Sequence, residues 1–274
     1  MMMKRLFTYS FILLVFLTGC TDETNREVDY GPLINASEEA IFFQDVANET
    51  YKLLVKAVRE TELNGGGQTF IENVLVTAEE ISGDSTIFTF DFSRSYFDWD
   101  NVHKDSLINV TVTGDLGSED GFAEADMAGF KIGDRTLTGK IFFALEEVSG
   151  SFTTYSLTSQ SLGFSDTLNQ SHSIEFNQHV MLKKVFGIPG VYDNLWFKAG
   201  GEASGVSSSG KTYHYTIMDT IVDSVACPWP SEGIIGMSFG KSNDSTYIDL
   251  IDQDSCSNQY KINIANKYFS QKGL

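Results

Sequence analysis

Carboxylates two apart could chelate calcium or divide acid and base roles in glycoside hydrolysis. The chain carries Asp98-Trp99-Asp100 and Asp252-Gln253-Asp254, with Glu119-Asp120 as a contiguous pair. None sits in the Asp-x-Asp-x-Asp-Gly loop that arranges oxygens around calcium, so solvated turns are the stronger reading. A hydrolase would also need two acids from different strands to converge within ~5–9.5 Å. His103, His172, His179 and His214 stand on separate segments with no second His or Cys at ligand spacing, so no metal centre is expected. His214 alternates with Tyr213 and Tyr215 and is predicted to face water. Serines are plentiful, yet no Gly-x-Ser-x-Gly elbow and no phosphate-binding loop occurs, and no cofactor is expected. The best candidates for ligand contact are aromatic. Tyr96 and Trp99 lie in Tyr-Phe-Asp-Trp-Asp, and Tyr192 and Trp196 in Tyr-Asp-Asn-Leu-Trp. Exposed rings beside amides or carboxylates can stack on a sugar and bond its hydroxyls, although amphipathic rings at a sheet rim account for the same composition.

The elements that must position these residues are mostly strands. One helix is predicted from about Ser37 to Glu62, because Phe43, Val46, Ala47, Tyr51, Leu54 and Val58 recur at spacings of three and four. Asn35 with Glu38 suggests a capping-box start, and Asn64-Gly65-Gly66-Gly67 a stop. The stripe is read as one apolar face packed on a sheet. From Phe70 onward the period is two: Phe88, Phe90 and Phe92; Ile108, Val110 and Val112; Tyr213, Tyr215 and Ile217; Tyr260, Ile262 and Ile264 each alternate with polar residues. Such alternation belongs to antiparallel strands with one face in a core and one in water. Turns are predicted at Ser82-Gly83-Asp84, Gly114-Asp115, Ile132-Gly133-Asp134, Ser149-Gly150, Gly200-Gly201, Ser209-Gly210 and Gly240 to Asp244. The expected fold is all-β, an extended or sandwiched antiparallel sheet with one N-terminal amphipathic helix.

The chain's ends and charge suggest a compartment. Lys4 and Arg5 precede an uncharged stretch from Leu6 to Gly19, which is too short to span a bilayer at the ~20 residues required and reads as a removed export signal. Removing residues 1–19 from 274 leaves 255, enough for one large all-β domain. Lys4 and Arg5 leave with that leader, so 19 basic residues fall to 17 against 37 acidic, a balance of −20. That field repels phosphate backbones and anionic head groups, so nucleic acid is not an expected partner. Cys227 and Cys256 have no Cys-x-x-Cys spacing and, in an oxidising compartment, read as a structural disulfide worth roughly 3.5 kcal/mol in the chain-entropy model. Trp229, between Pro228 and Pro230, is expected to cover it.

Two stretches carry a family resemblance. Leu17-Thr18-Gly19-Cys20 resembles the lipobox of bacterial lipoproteins, which implies a diacylglycerol on the Cys20 thiol, acylation (a palmitate-type chain) of its amine, and a stable hold on the membrane. Asp22-Glu23 resembles the acidic export signal of surface lipoproteins in Bacteroidota, or is an ordinary acidic linker. Further on, Gly201-Glu-Ala-Ser-Gly205, Cys227-Pro-Trp229-Pro-Ser-Glu-Gly233 and Asp254-Ser-Cys256-Ser-Asn258 resemble uncharacterised flavobacterial lipoproteins with a Cys-x-Trp and Asp-x-Cys-x-Asn hairpin. The spacing Pro230-Ser-Glu-Gly233 departs from the tighter Ser-Gly of that pattern. Six Asp-Ser/Thr tripeptides, at Asp84, Asp105, Asp166, Asp219, Asp223 and Asp244, resemble the O-glycosylation motif of the same phylum.

The expected organisation is a signal peptide over 1–19, a lipidated tether over 20–34, the helix segment over 35–66 and a β domain over 67–274. The expected role is a lipid-anchored protein of the outer membrane, at the cell surface or facing the periplasm, that binds glycan or protein, or is structural, without catalysis. Two rivals are a carbohydrate-active hydrolase using Asp98, Asp100 or Asp252 and Asp254, and a carrier of apolar ligands in a curved sheet, which needs an apolar cavity of at least ~300 Å³.

Overall fold

The structure, a computed structural model, describes residues 29–60, 63, 66–94, 96–97, 102–116, 121–150, 152–168, 170–183, 196–227, 229–240, 246–250 and 259–272. Cys20, Asp98, Trp99, Asp100, Glu119, Asp120, Tyr192, Asp252, Asp254 and Cys256 lie outside them. Among the described residues no helix is long and apolar enough to cross a membrane.

Among the described residues one helix, α1 (Gly31–Arg59), is followed by seventeen strands in a single sheet. They are β1 (Gly67–Ile71), β2 (Val74–Ser82), β3 (Ser85–Asp91), β4 (Tyr96–Phe97), β5 (His103–Asp105), β6 (Leu107–Thr113), β7 (Phe122–Asp126), β8 (Lys131–Ile132) and β9 (Arg135–Ser149). Then come β10 (Phe152–Ser165), β11 (Ser171–Lys183), β12 (Trp196–Val206), β13 (Thr212–Ser224), β14 (Glu232–Phe239), β15 (Thr246–Leu250), β16 (Gln259–Ile264) and β17 (Lys267–Lys272). From β9 to β17 each strand pairs antiparallel with the next, an unbroken meander. Before it, β1, β2, β3, β6 and β7 lead to β9, and the short β4, β5 and β8 prolong the rows of β3, β6 and β7.

The alternating runs behave as their period requires. Phe88, Phe90, Phe92, Ile108, Val110, Val112, Tyr213, Tyr215, Tyr260, Ile262 and Ile264 are buried, while Asn109, His214 and Lys261 between them are exposed. Gly200-Gly201 is not a turn. It lies inside β12, where the register with β13 slips between Ala199 and Glu202 and Gly201 takes φ +110°. A Cβ on Gly201 would stand 2.6 Å from the Asn177 carbonyl oxygen, so the glycine pair makes a bulge that only glycine fits.

The helix departs from its sequence reading in two ways. It starts at Gly31, with Pro32 in the first turn where its missing N–H and fixed φ are tolerated, so Asn35 and Glu38 lie inside it and form no capping box. It ends at Arg59, with Lys56 and Arg59 in the last turn complementing the helix dipole. Burial is also not one-sided. Between Ala36 and Ala57 no residue is exposed, and only Glu38, Asp45 and Glu49 keep intermediate accessibility. At about 1.5 Å per residue the helix runs ~43 Å, and a helix buried on every side must be surrounded. Its side chains meet β9 through Phe42 and Arg135, β10 through Phe43 and Phe164, β11 through His172, β12 through Phe197 and β13 through Asp223. They also meet Glu72 at the β1–β2 turn through Lys56, and Lys104 of β5 through Glu49. The sheet therefore wraps α1, which occupies its inner side. Burying a Phe or Leu contributes ~1.5–3 kcal/mol each, so Phe42, Phe43, Leu53 and Leu54 supply much of the hold.

Candidate functional site

Of the four aromatic candidates, Trp196 is the one whose side chain is described; Tyr96 lies on β4, where only the backbone is, and Trp99 and Tyr192 fall outside the described residues. Trp196 opens β12 with intermediate exposure, while Phe197 after it is fully buried, so the indole stands on the outer face. The register sets Trp196 opposite Ser224 and Lys198 opposite Val222, all on that face. Phe152 of β10 packs edge-on against the indole with centroids 6.1 Å apart, and the Lys198 ammonium lies 5.5 Å from its ring. A cation over an indole face gains from the ring quadrupole and helps fix the ring's pose.

This corner of the sheet is opened by irregular pairing. The β13–β14 register slips twice between Ile217 and Val222, and Ser231 reaches back with its N–H and hydroxyl donating to the Val222 carbonyl at 2.9 and 3.1 Å. The result is a groove of about 460 Å³ bordered by Trp196, Lys198, Val222, Ser224, Ser231 and Glu232. One apolar ring, two hydroxyls, an ammonium and a carboxylate thus converge on a space large enough for a few sugar rings. A second, more polar groove of about 330 Å³ crosses the outer face at the Gly201 bulge, along Asn177, His179, Glu202 and Thr216.

Behind the outer grooves lies a run of polar contacts between α1 and the sheet. Lys52 pairs with Asp223 at 2.8 Å and donates to the Cys227 carbonyl at 2.6 Å, and the Asn48 amide donates to Asp223 at 3.4 Å. One turn earlier, Gln44 accepts from both the Gln178 amide and the Tyr215 hydroxyl at 2.9 Å. Nearer the helix start, Glu39 approaches His172 at 3.1 Å, and His172 meets the Tyr213 hydroxyl at 2.6 Å. Ser208 donates its N–H to Glu39 at 2.9 Å and also bonds it through its hydroxyl.

Burial dominates the electrostatics here. It pushes Asp223 up to about 6 against the opposing pull of Lys52, and raises Asp45 well above the usual carboxylate range. For Glu39, burial also pushes upward, but bonds from His172 and Ser208 outweigh it and hold the carboxyl below its ordinary value. Glu39, His172 and Tyr213 have the order of an acid, a base and a hydroxyl. The hydroxyl is enclosed, however: Tyr213 is 1 % exposed, burial raises its pKa, and a Cβ on Gly205 would sit 2.4 Å from its oxygen. A substrate has no approach there, so this trio fastens the helix to the sheet. Nothing in the sequence pattern links these residues, since Glu39 and Ser208 are 169 positions apart.

The remaining sequence candidates are dispersed. His172 and His179 share β11 on opposite faces, which corrects their reading as separate segments; His103 lies on β5 and His214 on β13, in solvent as expected. Among the described residues no three of His, Cys, Asp and Glu are grouped to hold a metal. Cys227 is buried, with Trp229 buried two residues on. Compared with protein-family models, with curated proteins and with solved structures, the chain matches none.

Proposed function

We propose that this protein is a lipid-anchored component of the bacterial outer membrane that binds carbohydrate without chemically altering it, through the Trp196 groove. The observation that carries this reading is the convergence of a half-buried indole with Lys198, Ser224, Ser231 and Glu232 around about 460 Å³. A ring face covers the apolar C–H patch of a pyranose, while flanking hydroxyls, ammonium and carboxylate exchange hydrogen bonds with its hydroxyls. The acidic chain, with a net charge of −18, favours neutral sugars over anionic ones and over nucleic acid.

Anchoring through an acylated Cys20 and a disulfide between Cys227 and Cys256 belong to the same reading. The lipobox-like Leu17-Thr18-Gly19-Cys20 supports the first. The second draws support from the burial of Cys227, with Trp229 buried two residues on, and from the sequence offering Cys20 and Cys256 as its other cysteines.

A glycan array read with the purified protein tests the binding role. Retention on neutral glycans should fall at least tenfold in Trp196→Ala and survive in Trp196→Phe. No retention by the parent, or equal retention by Trp196→Ala, overturns it. Intact mass of the membrane-extracted protein tests the anchor: residue 20 should carry the lipid, and a bare cysteine or an uncleaved leader removes the assigned compartment.

A further inference from the structure

Apolar side chains on the outer face are not evenly spread. Ten large ones are exposed among the described residues, and four of them, Met218 (62 %), Ile234 (36 %), Tyr247 (39 %) and Tyr268 (73 %), fall on β13, β14, β15 and β17. Register places two of these, Tyr247 and Tyr268, in one transverse line. Gly236 of β14 stands opposite Tyr247 of β15, Tyr247 opposite Asn263 of β16, and Asn263 opposite Tyr268 of β17. Met218 lies over the bare Gly236, its sulfur 2.5 Å from where a Cβ would be, so the thioether fills the glycine's place. The same line continues through Thr216 and Glu202 to Asn177, along the border of the second groove. A strand residue in this phase normally points a polar side chain to water, as Asp249 and Lys261 do one row away. Two tyrosines there leave apolar area exposed with no internal use.

The geometry points to a second carbohydrate-binding surface: a track across β13 to β17, with Tyr247 and Tyr268 as stacking platforms and Asn263 as the hydrogen-bonding group between them, that takes an extended, neutral, β-linked polysaccharide. Neighbouring strands lie ~4.8 Å apart, so the two tyrosines are separated by roughly 9.6 Å. In an extended β-linked pyranose chain every second ring presents the same face, and one ring spans about one strand spacing. Tyr247 and Tyr268 therefore meet alternate rings, while Asn263 faces the ring between. Charge selects among occupants. At net −18 a second copy of this chain, or an anionic polysaccharide, would be repelled, whereas a neutral glycan is not. The inference shares only its ligand class with the Trp196 reading and involves none of the residues of that groove.

Calorimetric titration of the full-length protein with cellohexaose, xylohexaose and mannohexaose, with a galacturonic acid hexamer alongside, tests it. At least one neutral hexamer should bind, the matching disaccharide should bind at least tenfold more weakly, and the anionic hexamer should not bind. The Tyr247→Ala/Tyr268→Ala double variant should lose at least tenfold in affinity, and Tyr247→Phe/Tyr268→Phe should keep most of it. Failure of every neutral hexamer to bind overturns the inference, as does equal affinity in the double alanine variant. Loss of binding in Trp196→Ala alone, with the tyrosine variant unaffected, overturns this track and leaves the groove reading standing. Sedimentation that shows a parent dimer broken by the tyrosine variant, without any glycan effect, assigns the surface to self-association and also overturns it.

Discussion

Lys52 of the helix and Asp223 of β13 meet at 2.8 Å with both side chains withdrawn from solvent. A buried pair is a poor source of net stability, since desolvation offsets most of the Coulomb gain, but removing one member strands the other charge at a cost of ~3–5 kcal/mol. Lys52→Met should therefore lower the urea unfolding free energy by about that amount. The double variant Lys52→Met/Asp223→Leu should recover most of the loss, because no charge is left unpaired. Urea melts of the four proteins in a double-mutant cycle read the coupling, and additive losses would show that the pair does not act as a unit.

The same carboxyl makes stability fall as pH rises through the mildly acidic range. In the unfolded chain an aspartate titrates near ~3.9, whereas burial holds folded Asp223 at about 6. Between these values the folded state binds more protons, so its stability is greatest below ~4 and declines toward pH 6, by on the order of 2–3 kcal/mol. Asp45, also raised by burial, adds to the decline. Glu39 has the opposite sign: held below its ordinary value, it contributes stability above ~4.3 that is lost as pH falls through its folded value. A plot of urea midpoint against pH should thus peak near pH 4–5, and Asp223→Asn should flatten its decline toward pH 6. An unchanged slope in that variant contradicts the assignment.

Much of the sheet was legible because its strands have one dry and one wet face, so the period of two in Phe88-Thr89-Phe90 or Tyr260-Lys261-Ile262 survives as burial. The wrapping of the helix was not. Gln44, Asn48, Lys52 and Lys56 read locally as a solvent face, and only partners far along the chain make them interior: Gln178 lies 134 positions from Gln44, and Cys227 lies 175 from Lys52. Tyr247 left a faint local sign. In Thr246-Tyr247-Ile248-Asp249-Leu250 it occupies the polar phase beside Asp249, where an aromatic has no core to join.

Gly201 is fixed by two independent constraints, a φ of +110° and the Asn177 carbonyl 2.6 Å from any Cβ. Gly201→Ala should cost ~1–3 kcal/mol from backbone strain, plus whatever displacement of β11 the clash demands. Thermal unfolding of Gly201→Ala beside Gly210→Ala separates the two. Gly210 also has positive φ, but its Cβ would meet nothing within 4 Å, so it should lose less. Equal losses at both sites would show that the close approach to β11 contributes nothing.

Because the sheet surrounds α1, the helix should open only when the sheet does. On a helix with one wet face, outward amides exchange through local fraying, whereas here no residue from Ala36 to Ala57 is exposed. Amide exchange should therefore be slowest, and uniform around the helix, from Phe42 to Leu54, near the rate set by global unfolding. β1 and β17, which end the series of paired strands, should exchange faster. A periodic pattern of three to four residues in the helix protection, or faster exchange there than in β17, would show that the sheet does not enclose the helix in solution. Disrupting Lys52–Asp223 should raise exchange across the entire helix rather than near residue 52 alone, since a surrounded helix has no smaller unit that can leave.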